Sequence, residues 1–246
     1  MPTHQDDTTL NILQKGKLVV QGEFLWGSNY TYLAEVEHEG TTFQAVYKPT
    51  RGERPLWDFP TATLALREVA AYLVSEGLGW RLVPPTVYRK KGPLGPGSLQ
   101  FYVEHEAEYH YFNFNKADHQ RLRATALFDL LINNADRKGS HILIDPQKHI
   151  WLIDHGICFH VEDKLRTVIW DFAGEPLPDE LCSSVNRFRV DLRPANEGAS
   201  ALVSNLLPYL SKEEIEAVAA RADRLLASGR FPNPHPNRRP YPWPPV

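Results

Sequence analysis

The chain has 246 residues, of which 42% are hydrophobic and 23% are charged, and its formal net charge is −3. This composition is typical of a globular protein with one large domain or two small lobes, and it gives no indication of a nucleic-acid partner. No apolar run reaches the roughly 18 residues that a membrane-spanning helix needs, which excludes a transmembrane segment within this sequence.

The N-terminal residues and the cysteine content together favour a cytoplasmic protein. Residues 1–16 are polar and acidic and lack the apolar core of a secretory signal, so we expect a flexible lead-in there. The two cysteines, Cys158 and Cys182, are too few for a disulfide framework or a cysteine-rich zinc site. A reducing compartment is the simplest interpretation.

The first half of the chain predicts a sheet and one helix. Alternating apolar residues separated by turn residues predict three strands, at 17–25, 30–38 and 41–48. A helical repeat of apolar residues follows from Leu66 to Val74, with Gly77 as its C-terminal glycine. Two further strands are expected around a proline- and glycine-rich turn within residues 83–106.

The second half of the chain predicts helices around a short hairpin. A helix is expected at 118–132, with Asp118 as its N-cap and an apolar, buried C-terminal end. Two short strands flank Pro146, and a long irregular stretch follows at 155–198. Two helices complete this part of the chain, near 199–209 and 212–227.

The order of these elements predicts an α+β fold with two lobes and a cleft between them. Residues 17–104 would form an N-terminal lobe with an antiparallel sheet, and residues 105–230 a mostly helical C-terminal lobe. Residues 231–246 are dense in proline and are expected to be an extended tail that could dock a protein partner.

Polar groups crowd the segment between the predicted helix at 118–132 and the hairpin. Six of them fall within nine residues, namely Asn133, Asn134, Asp136, Arg137, Lys138 and His141. This density between two apolar elements marks the loop as a candidate site.

Four charged residues have the spacing of a kinase site. Lys48 ends the third strand and Glu68 lies in the next helix, the arrangement by which a protein-kinase fold fixes its phosphate-binding lysine. Asp136 and Asp154 follow where that fold has its catalytic and metal-binding aspartates. His141 stands five residues after Asp136, at the position of a metal-binding asparagine. Taken singly, each could be an ordinary surface charge or a packed histidine.

The segments Asn134-Ala135-Asp136-Arg137-Lys138 and Asp154-His155-Gly156 resemble motifs of phosphatidylinositol 3- and 4-kinases and of HipA-type bacterial kinases. Those families have D-R-H-x-x-N followed by D-x-G. Over residues 17–170 the chain is similar to a small bacterial family that is distantly similar to these lipid kinases. The resemblance implies a two-lobed, protein-kinase-like fold and the transfer of the γ-phosphate of ATP to a hydroxyl group, with Mg²⁺ or Mn²⁺.

The resemblance also implies a role for each residue of the site. Lys48 would contact the nucleotide phosphates and Glu68 would orient it. Asp136 would accept the proton of the attacking hydroxyl, and Asp154 would hold the metal. Adenine would dock near the link between the lobes, against Phe101, Tyr102, Val103 and Glu104.

Two features depart from the kinase pattern. The loop expected to cover the phosphates has one glycine, so Gly27, Ser28 and Asn29 are the candidate phosphate contacts. His141 replaces the asparagine, and it could bind a metal such as Mn²⁺, contact phosphate, or simply pack. If a titrating His141 binds the metal, turnover should fall below its ordinary pKa of about 6.5.

The remaining basic residues bear on the substrate. Arg137 and Lys138 could neutralise the transferring phosphoryl group or pair with nearby carboxylates. Lys164 and Arg166 lie where a kinase has its substrate loop and would suit an anionic acceptor, although solvated loop charges are an equal alternative. The acceptor hydroxyl could belong to a small molecule, a lipid headgroup or a protein.

Three alternatives remain open. A pseudokinase that binds nucleotide and acts as a regulatory or interaction module is consistent with the sparse phosphate loop and with His141. A nucleotidyl transferase could use the same fold. A metal hydrolase is disfavoured, because no H-E-x-x-H or paired histidine spacing occurs.

Overall fold

The computed structural model describes residues 4–24, 30–193 and 200–246. The N-terminal part contains α1 (His4–Lys15), β1 (Lys17–Glu23), β2 (Tyr32–His38), β3 (Thr41–Pro49), α2 (Leu64–Leu78), β4 (Thr86–Arg89) and β5 (Gly97–Phe101). The C-terminal part contains α3 (Lys116–Gln120), α4 (Arg123–Ile132), β6 (Ile142–Ile144), β7 (Ile150–Leu152), α5 (Asp179–Leu192), α6 (Ala201–Leu206) and α7 (Lys212–Ser228).

The N-terminal lobe is a five-stranded antiparallel sheet with the strand order β1-β2-β3-β5-β4. Alternate residues of β2 and β3 face a small apolar core that includes Ala34, Val36, Ala45 and Tyr47. Gly97 pairs with Pro49 at the end of β3, and a Cβ atom on it would lie 2.3 Å from the carbonyl oxygen of Lys48. Only glycine allows β5 to approach this part of β3, which carries the candidate lysine.

Helix α1 differs from the flexible lead-in expected over residues 1–16. Its residues Ile12 and Leu13 are buried in the core of the N-terminal lobe. The guanidinium of Arg89 donates hydrogen bonds of 2.9 Å to the carbonyl oxygens of Leu13 and Gly16, and so satisfies the C-terminal end of the helix. This helix was not predicted, because only a few apolar residues anchor an otherwise polar segment.

Helix α2 passes through Gly77 and ends at Leu78, and its C-cap residue Gly79 adopts the left-handed conformation with φ 72°. The expected end at Gly77 is therefore wrong. A Cβ atom on Gly77 would lie 3.1 Å from Leu202 and 3.2 Å from Phe188, so this glycine serves the close packing of α2 against α5 and α6.

The C-terminal lobe corrects two further expectations. Asn115, and not Asp118, is the N-cap of α3, and its side chain accepts a hydrogen bond from the backbone N–H of Asp118. Helix α5 lies within the stretch expected to be irregular. It buries Val185, Phe188 and Leu192, a narrow apolar stripe in a polar sequence. Helix α7 begins with a capping box and ends at Ser228, with Gly229 as its C-cap residue.

The proline-rich tail forms no helix or strand over residues 231–246 and lies along the C-terminal lobe. It starts at Phe231, which is buried against Phe172. The carbonyl oxygen of Pro240 accepts a hydrogen bond from the backbone N–H of Thr167 at 3.0 Å, and that of Pro245 accepts one from Gly139 at 2.8 Å. The tail therefore contacts the loop that follows Asp136.

None of the helices in the part of the chain that the structure describes is both long and apolar enough to cross a membrane.

Candidate active site

Lys48, Glu68 and Asp154 meet in a cleft, although they come from three separate elements. Strand β3 carries Lys48, helix α2 carries Glu68, and Asp154 follows the β6–β7 hairpin. The Nζ atom of Lys48 lies 2.5 Å from Oε1 of Glu68 and 2.9 Å from Oδ1 of Asp154. A cation between two carboxylates at these distances is held in one position before any ligand arrives.

The charges of this triad change the acidity of its members. Burial tends to lower the pKa of Lys48, but the adjacent Asp154 and Glu68 outweigh burial and raise that pKa above its usual value. Burial alone would raise the pKa of Asp154, but the positive charge of Lys48 and its hydrogen bond to the carboxylate lower that pKa below its usual value. Lys48 is therefore a fixed cation at neutral pH, and Asp154 a fixed anion.

His155 connects the triad to the interior. Its backbone N–H donates a hydrogen bond of 2.9 Å to Oε2 of Glu68. Its ring is fully buried, and Nε2 accepts a hydrogen bond of 2.8 Å from Arg137, since a guanidinium can only donate. Burial, together with the positive charges of Arg137 and Lys48, lowers the pKa of His155, so the ring stays neutral.

Asp136 lies on the loop after α4. Asn133 ends that helix in the left-handed conformation with φ 54°, and the side chain of Asn134 accepts the backbone N–H of Asp136 at 2.9 Å. Burial raises the pKa of Asp136 to about 6, while the positive charge of Lys138 opposes the rise. The Nζ atom of Lys138 is 3.9 Å from the carboxylate. A carboxylate with such a pKa can accept a proton near neutrality.

Arg137 lies in the protein interior, whereas a catalytic role in the cleft was expected for it. Its side chain is 0% exposed, and its Nε lies 3.1 Å from both carboxylate oxygens of Asp129. Its Nη1 atom donates to the carbonyl oxygens of Ile153, at 2.9 Å, and His141, at 3.2 Å. Arg137 thus ties helix α4 to the catalytic loop and to the hairpin, and it does not face the cleft.

His141 lies beside Asp154, with Nε2 at 3.3 Å from Oδ2. Burial lowers the pKa of His141 to about 4, so the ring is neutral over the pH range in which the sequence predicted a change. Its Nδ1 atom is buried and has no hydrogen-bond partner.

The donor set for a metal is small. No group of three or more His, Cys, Asp or Glu residues that could hold a metal occurs in the described ranges. Asp154 offers oxygen ligands of the kind that Mg²⁺ prefers, and the phosphates of a nucleotide would have to supply most of the others. The residues present fit a metal that arrives with a nucleotide, and they do not form a cage of their own.

The cleft holds a cavity of about 460 Å³. It brings together seven of the predicted site residues: Lys48, Glu68, Tyr102, Val103, Asp136, His141 and Asp154. Apolar side chains, among them Val46, Leu143 and Ile153, line it as well. Three of the predicted site residues that the structure describes do not line this cavity, namely Glu104, Arg137 and Lys138. Gly27, Ser28 and Asn29 lie outside the described residues.

Glu53 lines the same cavity and was not predicted from the sequence. Its carboxylate accepts hydrogen bonds from the backbone N–H groups of Leu64, at 3.2 Å, and Ala65, at 2.9 Å. Burial raises the pKa of Glu53, although these two hydrogen bonds act to lower it. Glu53 satisfies the first turn of α2 and so helps to position the helix that carries Glu68. It precedes the helix by eleven residues, too far for a capping motif to indicate it.

Solved structures with a similar fold include a Golgi casein kinase. A hydra Fam20 structure with bound sugar matches with a TM-score of 0.57 and 15% identity, over 92% of this chain and 88% of that one. A Golgi casein kinase with bound Mn and ADP matches with a TM-score of 0.53 and 15% identity, over 92% of this chain and 76% of that one. The predicted fold, two-lobed and protein-kinase-like, is confirmed.

Sequence comparisons relate the chain to three curated proteins, two of which are described below, and no family model matches it. Phosphatidylinositol 4-kinase gamma 4 of Oryza sativa subsp. japonica is 30% identical over 148 residues, which are 52% of this chain and 26% of that protein. The similarity to that lipid kinase is thus partial. Protein Rv2133c of Mycobacterium tuberculosis is 39% identical over 268 residues, with 95% of this chain and 94% of that protein covered. The chain therefore belongs to the same family as Mycobacterium tuberculosis protein Rv2133c.

Proposed function

We propose that this protein is an ATP-dependent kinase that transfers the γ-phosphate to a hydroxyl group of an acceptor. The single observation that carries the proposal is the triad of Lys48, Glu68 and Asp154, in which one ammonium group lies within 2.9 Å of both carboxylates. A fixed cation beside a metal-binding carboxylate is what phosphoryl transfer requires, because catalysis there consists mostly of positioning and charge stabilisation.

Each residue of the cleft then has a task. Lys48 binds phosphate oxygens of the nucleotide, and Glu68 holds the ammonium group in place. The apolar walls near Tyr102 and Val103 receive the adenine ring. Asp154 would hold Mg²⁺ or Mn²⁺, and a bound metal would supply positive charge that stabilises the transferring group. The Golgi casein kinase neighbour, which was solved with Mn and ADP, supports this choice of ligands.

Asp136 acts on the acceptor. It takes the proton from the acceptor hydroxyl, while that oxygen forms its bond to the γ-phosphorus and the bond to the β-phosphate oxygen breaks to release ADP. Its pKa of about 6 keeps it mostly ionised at pH 7. The metal role of His141 and the phosphate contacts at Gly27, Ser28 and Asn29 stay predictions. A phosphatidylinositol 3- or 4-kinase-like class is supported by the partial similarity to the rice enzyme.

A second candidate is a nucleotide-binding pseudokinase. Its support is His141, which stands at the usual asparagine position with one ring nitrogen buried and without a partner. Under this hypothesis the cleft binds nucleotide but moves no phosphate. Nucleotidyl transfer on the same fold is tested by the same assay.

The test is an assay with ATP labelled at either the γ- or the α-phosphate, with Mg²⁺ or Mn²⁺, and with water, the protein itself and candidate acceptors. We expect transfer of the γ-label by the unmodified protein. Lys48→Met should reduce this transfer at least a hundredfold. Asp136→Asn should abolish transfer, while its nucleotide binding persists. Lys17→Met, a change of an exposed lysine on β1, is the matched control and should leave transfer intact. Nucleotide binding without any transfer would favour the pseudokinase, and transfer of the α-label would favour nucleotidyl transfer.

A further inference from the structure

A second cavity, of about 810 Å³, lies in the C-terminal lobe. Helix α7 forms one wall, the segment of residues 161–170 a second, and the tail of residues 232–240 a third. The nucleotide cleft and this cavity share no lining residues among those described, so the second cavity is a separate space. We refer to it as the basic cavity.

The basic cavity has a strong excess of positive charge. Six cationic side chains line it: Lys164, Arg166, Arg221, Arg224, Arg238 and Arg239. Among its described lining residues, Asp163 is the only carboxylate. Because the whole chain has a net charge of −3, this concentration of cations is local and is not a consequence of a basic composition.

Three of these cations have partners within the protein. Lys164 lies 3.4 Å from the carboxylate of Asp58, and Arg238 lies 3.0 Å from that of Asp163. Arg221 is buried and donates a hydrogen bond of 3.1 Å to the carbonyl oxygen of Leu131. These residues form the frame of the cavity.

The other three cations are available to a ligand. Arg166, Arg224 and Arg239 are exposed, and no described carboxylate lies within 4.0 Å of them. Arg239 contacts the ring of Trp243, with 5.6 Å from its guanidinium carbon to the ring centroid. Burial lowers the pKa of Arg221 to about 10, and the charge of Arg224 adds to this effect, which reflects the crowding of cations.

Backbone pairing places the basic cavity beside Asp136. The backbone N–H of Arg166 donates to the carbonyl oxygen of Asn134 at 2.9 Å, and the carbonyl oxygen of Arg166 accepts the N–H of Arg137 at 3.0 Å. The backbone of Arg166 is therefore hydrogen-bonded to residues on either side of Asp136, the proposed catalytic base. The Arg166 charge also acts on the Asp136 carboxylate, where it opposes the effect of burial.

We propose that the basic cavity binds the phosphate group of the acceptor, and that the acceptor is a small phosphorylated molecule whose free hydroxyl reaches Asp136. The role of the bound molecule as a phosphate acceptor rests on the proposed kinase function. The binding of an anion in this cavity does not depend on that function. Planar guanidinium groups recognise phosphate oxygens through paired N–H donors, and three of them can surround one phosphate.

The size and the enclosure of the cavity favour a small molecule. Its volume lies in the range of about 300–1,000 Å³ that is typical of small-molecule sites. The tail closes one side, since Pro240 is bonded to Thr167 and the guanidinium of Arg238 donates to the carbonyl oxygen of Asp163 at 3.0 Å.

The test measures binding without nucleotide, by calorimetry, with fructose 1,6-bisphosphate as the probe and fructose as its uncharged counterpart. We expect the bisphosphate to bind and fructose not to bind. The double variant Arg224→Gln/Arg239→Gln should weaken binding at least tenfold, and the affinity should fall as the NaCl concentration rises. Arg187→Gln changes an exposed arginine on α5 and is the matched control, with less than a twofold effect.

Lys48→Met separates this inference from the proposed kinase function. Binding of the bisphosphate should survive Lys48→Met, because the nucleotide cleft is a different cavity. Loss of binding in Lys48→Met with retention in the double arginine variant would place the probe in the nucleotide cleft and overturn the proposal. Absence of any phosphoryl transfer would refute the kinase function and leave the anion site standing.

A membrane surface is the competing occupant. Vesicles of phosphatidylcholine with phosphatidylinositol 4-phosphate are tested in parallel by sedimentation, with the same variants. Binding to these vesicles through Arg224 and Arg239, together with no binding of the soluble bisphosphate, would contradict the assignment of a small molecule. Binding of the soluble probe alone supports it.

Discussion

The carboxylate of Glu68 accepts the backbone N–H of His155 at 2.9 Å through one oxygen, and its other oxygen holds the ammonium group of Lys48. One buried side chain on α2 therefore fixes both the lysine on the sheet and the segment after Asp154. The side chain of Glu68 is 4% exposed, so water cannot replace either contact.

Replacement of Glu68 by glutamine should reduce activity more than nucleotide binding. The amide keeps the shape of the side chain but loses the charge that holds Lys48, so we expect kcat/KM for ATP to fall at least tenfold. Steady-state kinetics and a nucleotide titration measure the two effects. Glu35→Gln, a change at an exposed position on β2, is the control and should alter neither. Equal effects of both substitutions would argue against a special role for Glu68.

Replacement of Arg137 by alanine should destabilise the fold. It leaves the fully buried Asp129 carboxylate, whose pKa burial already raises, without its cation. Removal of one partner of a buried ion pair costs about 3–5 kcal/mol. Urea denaturation measures this loss, and Lys138→Ala, a change at the next residue with a partly exposed side chain, should cost less than about 1 kcal/mol. An Arg137→Ala protein with wild-type stability and no activity would instead restore the catalytic role predicted from the sequence.

Much of the site could be predicted from the sequence, but its interior could not. Lys48, Glu68, Asp136 and Asp154 have a spacing that reflects the order of strands and helices. Which way a polar side chain turns depends on partners that are distant in the chain.

Arg137 illustrates this limit. Arg137 contacts Asp129, which lies eight residues before it in the sequence, and His155, which lies eighteen residues after it. No local sequence pattern indicates either contact. Helices α1 and α5 were missed for a related reason, because each buries a narrow stripe and its stability comes from tertiary packing. The basic cavity combines arginines from three distant segments of the chain.

The rate of transfer should depend on the protonation of Asp136. As a base it must be ionised, and since its pKa is raised to about 6, kcat/KM should fall tenfold per pH unit below that value and level off above pH 7. The charged groups that act on it are Lys138, Asp154, Arg166 and Arg137. His141 stays neutral down to about pH 4 and should add no step in this range.

A substitution tests the assignment of that pH dependence. Lys138→Gln removes a cation that lowers the pKa of Asp136, so the acidic limb of the profile should move to higher pH. Lys148→Gln changes a lysine at the exposed turn of the β6–β7 hairpin and should leave the profile in place. A profile that is flat between pH 5 and 8 in an active enzyme would exclude Asp136 as the titrating base.

Deletion of residues 240–246 should loosen the catalytic loop while the core stays folded. The deletion removes the carbonyl oxygens that accept the backbone N–H groups of Thr167 and Gly139, and it leaves the buried Phe231 in place. We expect faster amide hydrogen exchange at Thr167 and Gly139, and reduced transfer, since Thr167 also donates to Asp129 at 3.1 Å. The amide of Leu152, bonded to the carbonyl oxygen of Leu82 at 2.7 Å, is the internal reference and should exchange as in the full chain. Unchanged exchange at Thr167 and Gly139 would mean that the tail does not hold this loop, and its function would then have to lie in docking a partner.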